Sequence, residues 1–532
     1  MDYRFDTFKR PFLCGLLLFA VLFLHSLVSA AGADWALFGG SDSFRPAGSI
    51  DKMVLASMNE KRIKPANLCT DEVFLRRLYL DVIGTLPTAE EVEKFLQNPR
   101  RNKRATYINI LLKRDEYADY WSLKWCDLFR VKSEFPINLW PNAVQAYHRW
   151  IHQSLSTNMP YDQFVRELLT TSGSNFRYPQ VNFYRAIQGH EPSTISAAVA
   201  LNFMGVRFEN WPEKKQKDMN VFFSRVAYKG TAEWKEEIVY LDPTPVKSSA
   251  AVFPDGTEVT LKPGQDPRRV FADWLISSDN KWFAANAVNR IWSWLFGTGL
   301  IDPADDIDSG AKAVYPEVLS YLEKEFVKSG YDVKHVFKLI LNSSVYQQCS
   351  VPYKNNPHAE KVFACYPVRQ LDAEVLVDAI CQITGTKERY SSLVPEPFTF
   401  IPADNRSIEL ADGSITSPLL EMFGRPSRDS GYETERRNST TEKQRLHLLN
   451  SSQIQTKIER SWKLKALTKR RTKKNPNRPV ELIYLNILSR YPTKSEKQAV
   501  VEYIKKPGIG GNRGMIDLVW ALINSKEFLY KH

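Results

Sequence analysis

Four carboxylates stand within seven residues in LIDPADDIDSG, as Asp302, Asp305, Asp306 and Asp308, just after a segment carrying Asn289, Arg290, Trp292 and Trp294. Carboxylates this close repel one another unless a cation or a hydrogen-bond donor neutralises them. A calcium ion would do so through Asp305 and Asp306, but the spacing is not that of an EF-hand loop, and the commoner outcome is capping plus an ion pair with Arg290. A second charge-dense stretch, 425–437, begins with Arg425 and Arg428. If it folds against the acidic run, Arg290, Asp302, Asp305, Asp306, Asp308, Arg425 and Arg428 become a candidate hydrolase-type site. A deep pocket shared by the two runs is then the expected sign.

His148 and His152, in HRWIH, are four residues apart and would share a helix face, the spacing zinc enzymes use for two ligands. The glutamate of HExxH is missing and Arg149 takes its place, so a partly exposed helix face is expected instead. His190 and Glu191 offer a base without a nucleophile. No GxSxG elbow, phosphate-cradling glycine loop or dinucleotide fingerprint occurs, and no cofactor is expected. Beyond the first 33 residues the cysteines are Cys69, Cys126, Cys349, Cys365 and Cys381, with no CxxC pair from which to build a zinc knuckle or a c-type haem attachment. An oxidising compartment permits a disulfide among Cys349, Cys365 and Cys381, whereas the aromatic neighbours of Cys126 suit a buried free thiol.

The compartment follows from residues 1–33, which read as a cleavable secretory signal. Arg4, Lys9 and Arg10 precede an apolar run, and Val28-Ser29-Ala30 and Ala31-Gly32-Ala33 are small-x-small cleavage sites. That run is short of the roughly 20 residues a membrane span needs, so a secreted or periplasmic chain is expected over an anchored one. No later stretch is apolar enough to cross a bilayer. The leader removes a single unit from the formal net charge of +12, so the mature chain stays basic. Nine basic residues and no acid lie in 460–478. An exported chain seldom meets nucleic acid, and Trp462 is the lone aromatic residue there. A solvated linker is the reading, with an acidic polysaccharide or a membrane surface as the alternative contact. The partners expected are an acidic polysaccharide or a cell-surface protein, and not nucleic acid.

The elements that must position these groups are mainly helices. The chain reads as mainly α and multi-helical, with repeated helical hairpins and a small β-hairpin near the interdomain linker. One helical domain is expected over 34–237, the hairpin linker over 238–265, and a second helical domain over 266–532 with a loop-rich excursion at 391–441. YLDVIGTLPTAEE at 79–91 overlays YLNILSRYPTKSE at 484–496. In both, a helix ends near a proline and a capping box, Thr88 with Glu91 or Thr493 with Glu496, starts the next. LLKRDEY at 111–117 likewise parallels LINSKEF at 522–528, with a third echo in ILNSSVY at 340–346, so each apolar helix is expected to end on an aromatic residue. Pro254-Asp255-Gly256 supplies a hairpin turn ahead of an alternating strand from Glu258 to Leu261. Most of the 13 tryptophans, among them Trp121, Trp125, Trp292 and Trp294, are expected in the core.

FLRRLYLDVIGTLPTAEEVEKFL, MPYDQFVRELLTTSGSN and VNFYRA resemble the planctomycete cytochrome-associated domain of the PSCyt type. DPRRVFADWLISSDNKWFAANAVNRIWSWLFGTGLIDPADDI and FGRPSRDSGYETERRNSTTEKQRLHLLNS are similar to the planctomycete-specific PSD-type domain. The resemblance spans nearly the whole mature chain and implies no defined biochemistry. Many relatives carry a CAQCHDHPF-like stretch after an FLGV segment, whereas this chain reads FMGVRFENWPEKKQKDMNVFFSRV. Haem or metal chemistry attached to that motif therefore does not transfer. The resulting expectation is a non-redox binding or scaffold component of a cell-surface or polysaccharide-processing system. The hydrolase-type site is the alternative, and a redox-associated protein that has lost its CxxCH is the second.

Overall fold

A computed structural model describes residues 37–532 except 246, 354, 355, 357, 438 and 470–474, together with the side chain of 468. The signal reading of residues 1–33 and the middle of the basic run lie outside the described residues. The fold is mainly α, and the described strands form three small antiparallel sheets.

The helix Asp71–Val82 is central: ten consecutive residues from Val73 to Val82 are buried, the charged Arg76, Arg77 and Asp81 among them. Thr70 caps it, accepting from the Val73 amide at 3.4 Å. Two of its buried residues are arginines, and their terminal nitrogens bond backbone carbonyls of distant segments. Arg76 donates to the carbonyls of Ile487 at 2.7 Å and Phe528 at 3.0 Å. Arg77 donates to those of His532 at 3.0 Å and Gln348 at 2.9 Å and to that of Tyr346. One continuous apolar core, from Ile50 to Phe528, results.

Both expected capping boxes are present, at the starts of Ala89–Leu96 and Lys494–Ile504. The aromatic residue of each echo falls beyond the apolar helix rather than at its end. Lys103–Leu111, Val333–Leu341 and Gly510–Ile523 stop first, and the chain turns before burying Tyr117, Tyr346 and Phe528. In two of the three the turn is a serine hydroxyl taking up amides: Ser343 accepts from Tyr346, and Ser525 from Phe528, each at 3.2 Å.

The hairpin forms as expected. Ser249–Val252 pairs with Glu258–Leu261, and Gly256 takes φ +93° at the turn. The apolar stretch before it behaves differently: Glu237–Leu241 joins Val226–Gly230 and Gly173–Ser174 in a sheet of its own. Within the 391–441 stretch Ile408, Leu410, Leu420 and Arg428 are all but inaccessible to solvent. The basic run departs from a solvated linker. Trp462–Thr468 is helical and buries Leu464 and Leu467, while Lys463 donates to the Gln382 carbonyl at 2.7 Å.

Candidate functional site

The helix Phe283–Phe296 is buried along its whole length; it brings Trp294 to the wall of a cavity of about 590 Å³ and holds Arg290 behind that wall. It stops at Gly297, φ +86°, where a Cβ would stand 2.4 Å from the Arg369 side chain. The chain then turns through Asp302 and Asp305, and both line the cavity together with Glu433, Arg436 and the Lys124–Asp372 pair. The acidic run and the charge-dense loop thus share one cavity.

Arg290 is the clamp that joins them. It pairs with Asp305 at 3.0 Å and approaches Glu433 at 3.5 Å, and the Glu433 amide donates to Asp305 at 2.8 Å. The Trp294 indole donates to the Glu433 carboxylate at 2.8 Å. Burial raises the Glu433 carboxyl, with the neighbouring Asp305 pushing the same way and Arg290 and Lys124 opposing. On the Asp115–Leu128 helix, Lys124 pairs with Asp372 at 2.8 Å and the Tyr120 hydroxyl donates to the same carboxylate at 2.8 Å. Burial alone would raise Asp372, but Lys124, Arg436 and Lys531 outweigh it and hold this carboxyl well below its usual range. Burial lowers the Lys531 ammonium, which sits 3.1 Å from Asp81.

Arg425 and Arg428 lie behind the cavity wall rather than in it. Arg428 pairs with Asp127 at 2.8 Å and donates to the carbonyls of Ala411 at 2.7 Å and Val131 at 3.1 Å. Arg425 donates to the carbonyls of Asp412 at 3.0 Å and Ile415, and burial followed by the Arg428 charge pushes it down to about 10. Arg436 ties this layer to the cavity, at 2.6 Å from both Asp127 and Glu374. Asp306 and Asp308 are not in the cavity. Burial raises the Asp306 carboxyl, and Asp308 is exposed and takes the Trp282 indole at 3.4 Å.

His148 and His152 do share a face, with rings 6.1 Å apart. His152 meets Asp119 at 2.9 Å, and that carboxylate also holds Arg406 at 2.8 Å. Burial, then the charges of Arg428 and His152, pushes His148 down to about 3. Among the described residues no group of three or more His, Cys, Asp or Glu side chains is placed to hold a metal ion. The five cysteines are all free, and burial pushes the thiols of Cys126 and Cys365 up to about 12 and that of Cys381 to about 11. Trp121, Trp125, Trp292 and Trp294 are buried, as expected of core tryptophans.

Glu433 and Arg436 were within reach of sequence reasoning, being part of the charge-dense loop. Lys124 and Asp372, which are 248 residues apart, carry no local signal.

A helical chain with two consecutive blocks around one charged cavity is matched by two family models. PSCyt2, a protein of unknown function (DUF1549), matches residues 49–227, and PSD1, a protein of unknown function (DUF1553), matches residues 267–504. The chain carries the PSCyt2 domain followed by the PSD1 domain. No curated protein and no solved structure matches it. Among the described residues no helix is long and apolar enough to cross a membrane.

Proposed function

We propose that this PSCyt2–PSD1 chain is an exported component of a cell-surface or polysaccharide-processing system that holds a polyhydroxylated ligand in the 590 Å³ cavity. The meeting of the 302–305 turn with the 433–436 run carries the reading. Asp302 and Glu433 supply acceptors there, the exposed Lys361 and Thr434 supply donors, and Trp294 supplies an aromatic edge. Sugar hydroxyls need donors and acceptors side by side, and a sugar ring needs an aromatic or apolar face. Export rests on the leader, and buried thiols kept in the protonated form suit an oxidising compartment.

Titration of the leaderless chain with neutral and acidic oligosaccharides tests this. Saturable binding is expected for at least one class, weakened about tenfold by Asp302→Asn or Glu433→Gln. Binding that neither substitution changes, or none to any fraction, removes the reading.

Hydrolysis is a second reading, favoured by the raised Glu433 carboxyl sharing its cavity with the exposed Asp302. A carboxyl that keeps its proton to higher pH can act as general acid while a second carboxylate activates water. On that reading Glu433→Gln abolishes turnover while sparing ligand affinity, and turnover falls as pH rises through the Glu433 value.

A further inference from the structure

A second cavity, of about 360 Å³, has an apolar wall of Ile187, Ala198, Leu201 and Val206 and two guanidinium groups, those of Arg130 and Arg207. Arg130 follows the Asp115–Leu128 helix in left-handed backbone, φ +54°, and its Nε donates to the Ser430 carbonyl at 2.9 Å. Gly431, φ +72°, lies so close that a Cβ there would stand 2.6 Å from the Leu128 carbonyl oxygen and 3.1 Å from the guanidinium carbon. The loop therefore lies against the guanidinium and fixes it.

What this arginine lacks is an acceptor. Its two terminal nitrogens make no hydrogen bond and no ion pair among the described residues. The terminal nitrogens of Arg436 and Arg77, by contrast, are engaged, those of Arg436 by Glu374 and Asp127 and those of Arg77 by the carbonyls of Tyr346 and Gln348. Arg207 is held over the Tyr432 ring at 3.9 Å; the mostly exposed Glu209 is 3.9 Å away, and Asp306 is near enough for the Arg207 charge to oppose the burial that raises its carboxyl. The other acids nearby are engaged. Asp429 pairs with Lys132 at 2.7 Å, and Glu435 accepts from the Asp429 amide at 2.9 Å. Two half-buried guanidinium groups at one concave site, one of them held in place with its terminal nitrogens free, suit an oxyanion.

We propose that this cavity is a binding site for a small organic oxyanion, with Arg130 and Arg207 taking the carboxylate, sulfate ester or phosphate ester and the apolar wall taking the ligand's body. The guanidinium fork suits all three groups, because each presents two oxygens to two N–H bonds. The volume exceeds that of a bare oxyanion and accommodates a body of monosaccharide size.

Glucuronic acid, glucose sulfate and glucose phosphate, with glucose as the neutral control, are titrated into the chain by calorimetry at constant ionic strength. At least one anionic sugar is expected to bind one per chain and at least about tenfold more tightly than glucose, and the ranking of the three identifies the group. Arg130→Gln and Arg207→Gln are each expected to weaken that binding about 10- to 100-fold. The Arg207 side chain donates no hydrogen bond to the protein and is half-exposed, so Arg207→Gln, losing only the Tyr432 stacking and the 3.9 Å pair with Glu209, stays folded and decides the matter if Arg130→Gln does not fold. Anionic-sugar binding lost in Asp302→Asn but kept in Arg207→Gln belongs to the first cavity and overturns the proposal. Anionic sugars that bind no better than glucose, or wild-type affinity in Arg207→Gln, would overturn the proposal.

Discussion

The two copies of the helical hairpin build one ionic arrangement from differently placed residues. In the first, Arg114 pairs with the capping-box Glu91 at 2.8 Å and with Glu116, and its guanidinium stands 5.7 Å from the Tyr79 ring. In the second, Arg490 pairs with the capping-box Glu496 at 2.8 Å and with Glu527 at 2.6 Å, 5.4 Å from the Tyr484 ring. Each acid and each tyrosine occupies the equivalent position in the two copies; the arginine does not. Arg114 aligns with Ser525, and Arg490 aligns with Thr85. The arrangement constrains where positive charge sits, not which residue brings it, because a long side chain can reach the same point from either strand of the turn. The copies also differ in burial: the Arg490 side chain is 7% exposed and that of Arg114 is 30%.

That difference sets the first expected effect. Arg490→Ala leaves the half-buried Glu496 and Glu527 without their cation and should cost about 1.5–3 kcal/mol, whereas Arg114→Ala, in a wetter setting, should cost about 1 kcal/mol or less. Calorimetric melting of both variants checks the ratio, and equal losses would break the comparison.

Of similar size is the effect at the turn between the helices. Gly84 and Ser489 are equivalent and both left-handed, at φ +60° and +57°. A Cβ on Gly84 would stand 2.5 Å from the Tyr120 ring, so Gly84→Ala should cost about 2–4 kcal/mol through overpacking and backbone strain. The Ser489 hydroxyl is buried without a partner, so Ser489→Gly should gain up to about 1 kcal/mol. Opposite signs at equivalent positions, read as midpoint shifts in urea, are the expected result.

The smallest effects should be the most alike. Thr88 and Thr493 each accept from the amide of the box glutamate at 3.2 Å. Thr88→Ala and Thr493→Ala should each cost about 1 kcal/mol, measured in the same unfolding experiment, since a cap depends on local geometry and little on depth.

These contrasts mark how far sequence reading reached. The capping boxes, the hairpin turn and the buried tryptophans were legible because each depends on residues within a few positions of one another. The acidic turn and the charge-dense loop stood out as charge clusters, and they do share a cavity. Which of their members face it was not legible: Arg425 and Arg428 brace the wall, while Glu433 and Arg436 line it. Tyr346 and Phe528 were displaced past their helices because the intervening turns close through the Ser343 and Ser525 hydroxyls, a choice that helical periodicity does not reveal.

By itself the sequence determined the mainly helical class, the internal repeat with its caps, and the family, since local hydrogen bonds and apolar periodicity are written in neighbouring residues. Only the tertiary structure decided which charges meet. Lys124 finds Asp372, Arg490 replaces Arg114 in the repeated arrangement, and Arg130 is left with its terminal nitrogens unspent. The physical reason is that a buried charge is satisfied by whatever lies within about 3–4 Å in space, and folding brings that partner from hundreds of residues away as readily as from three.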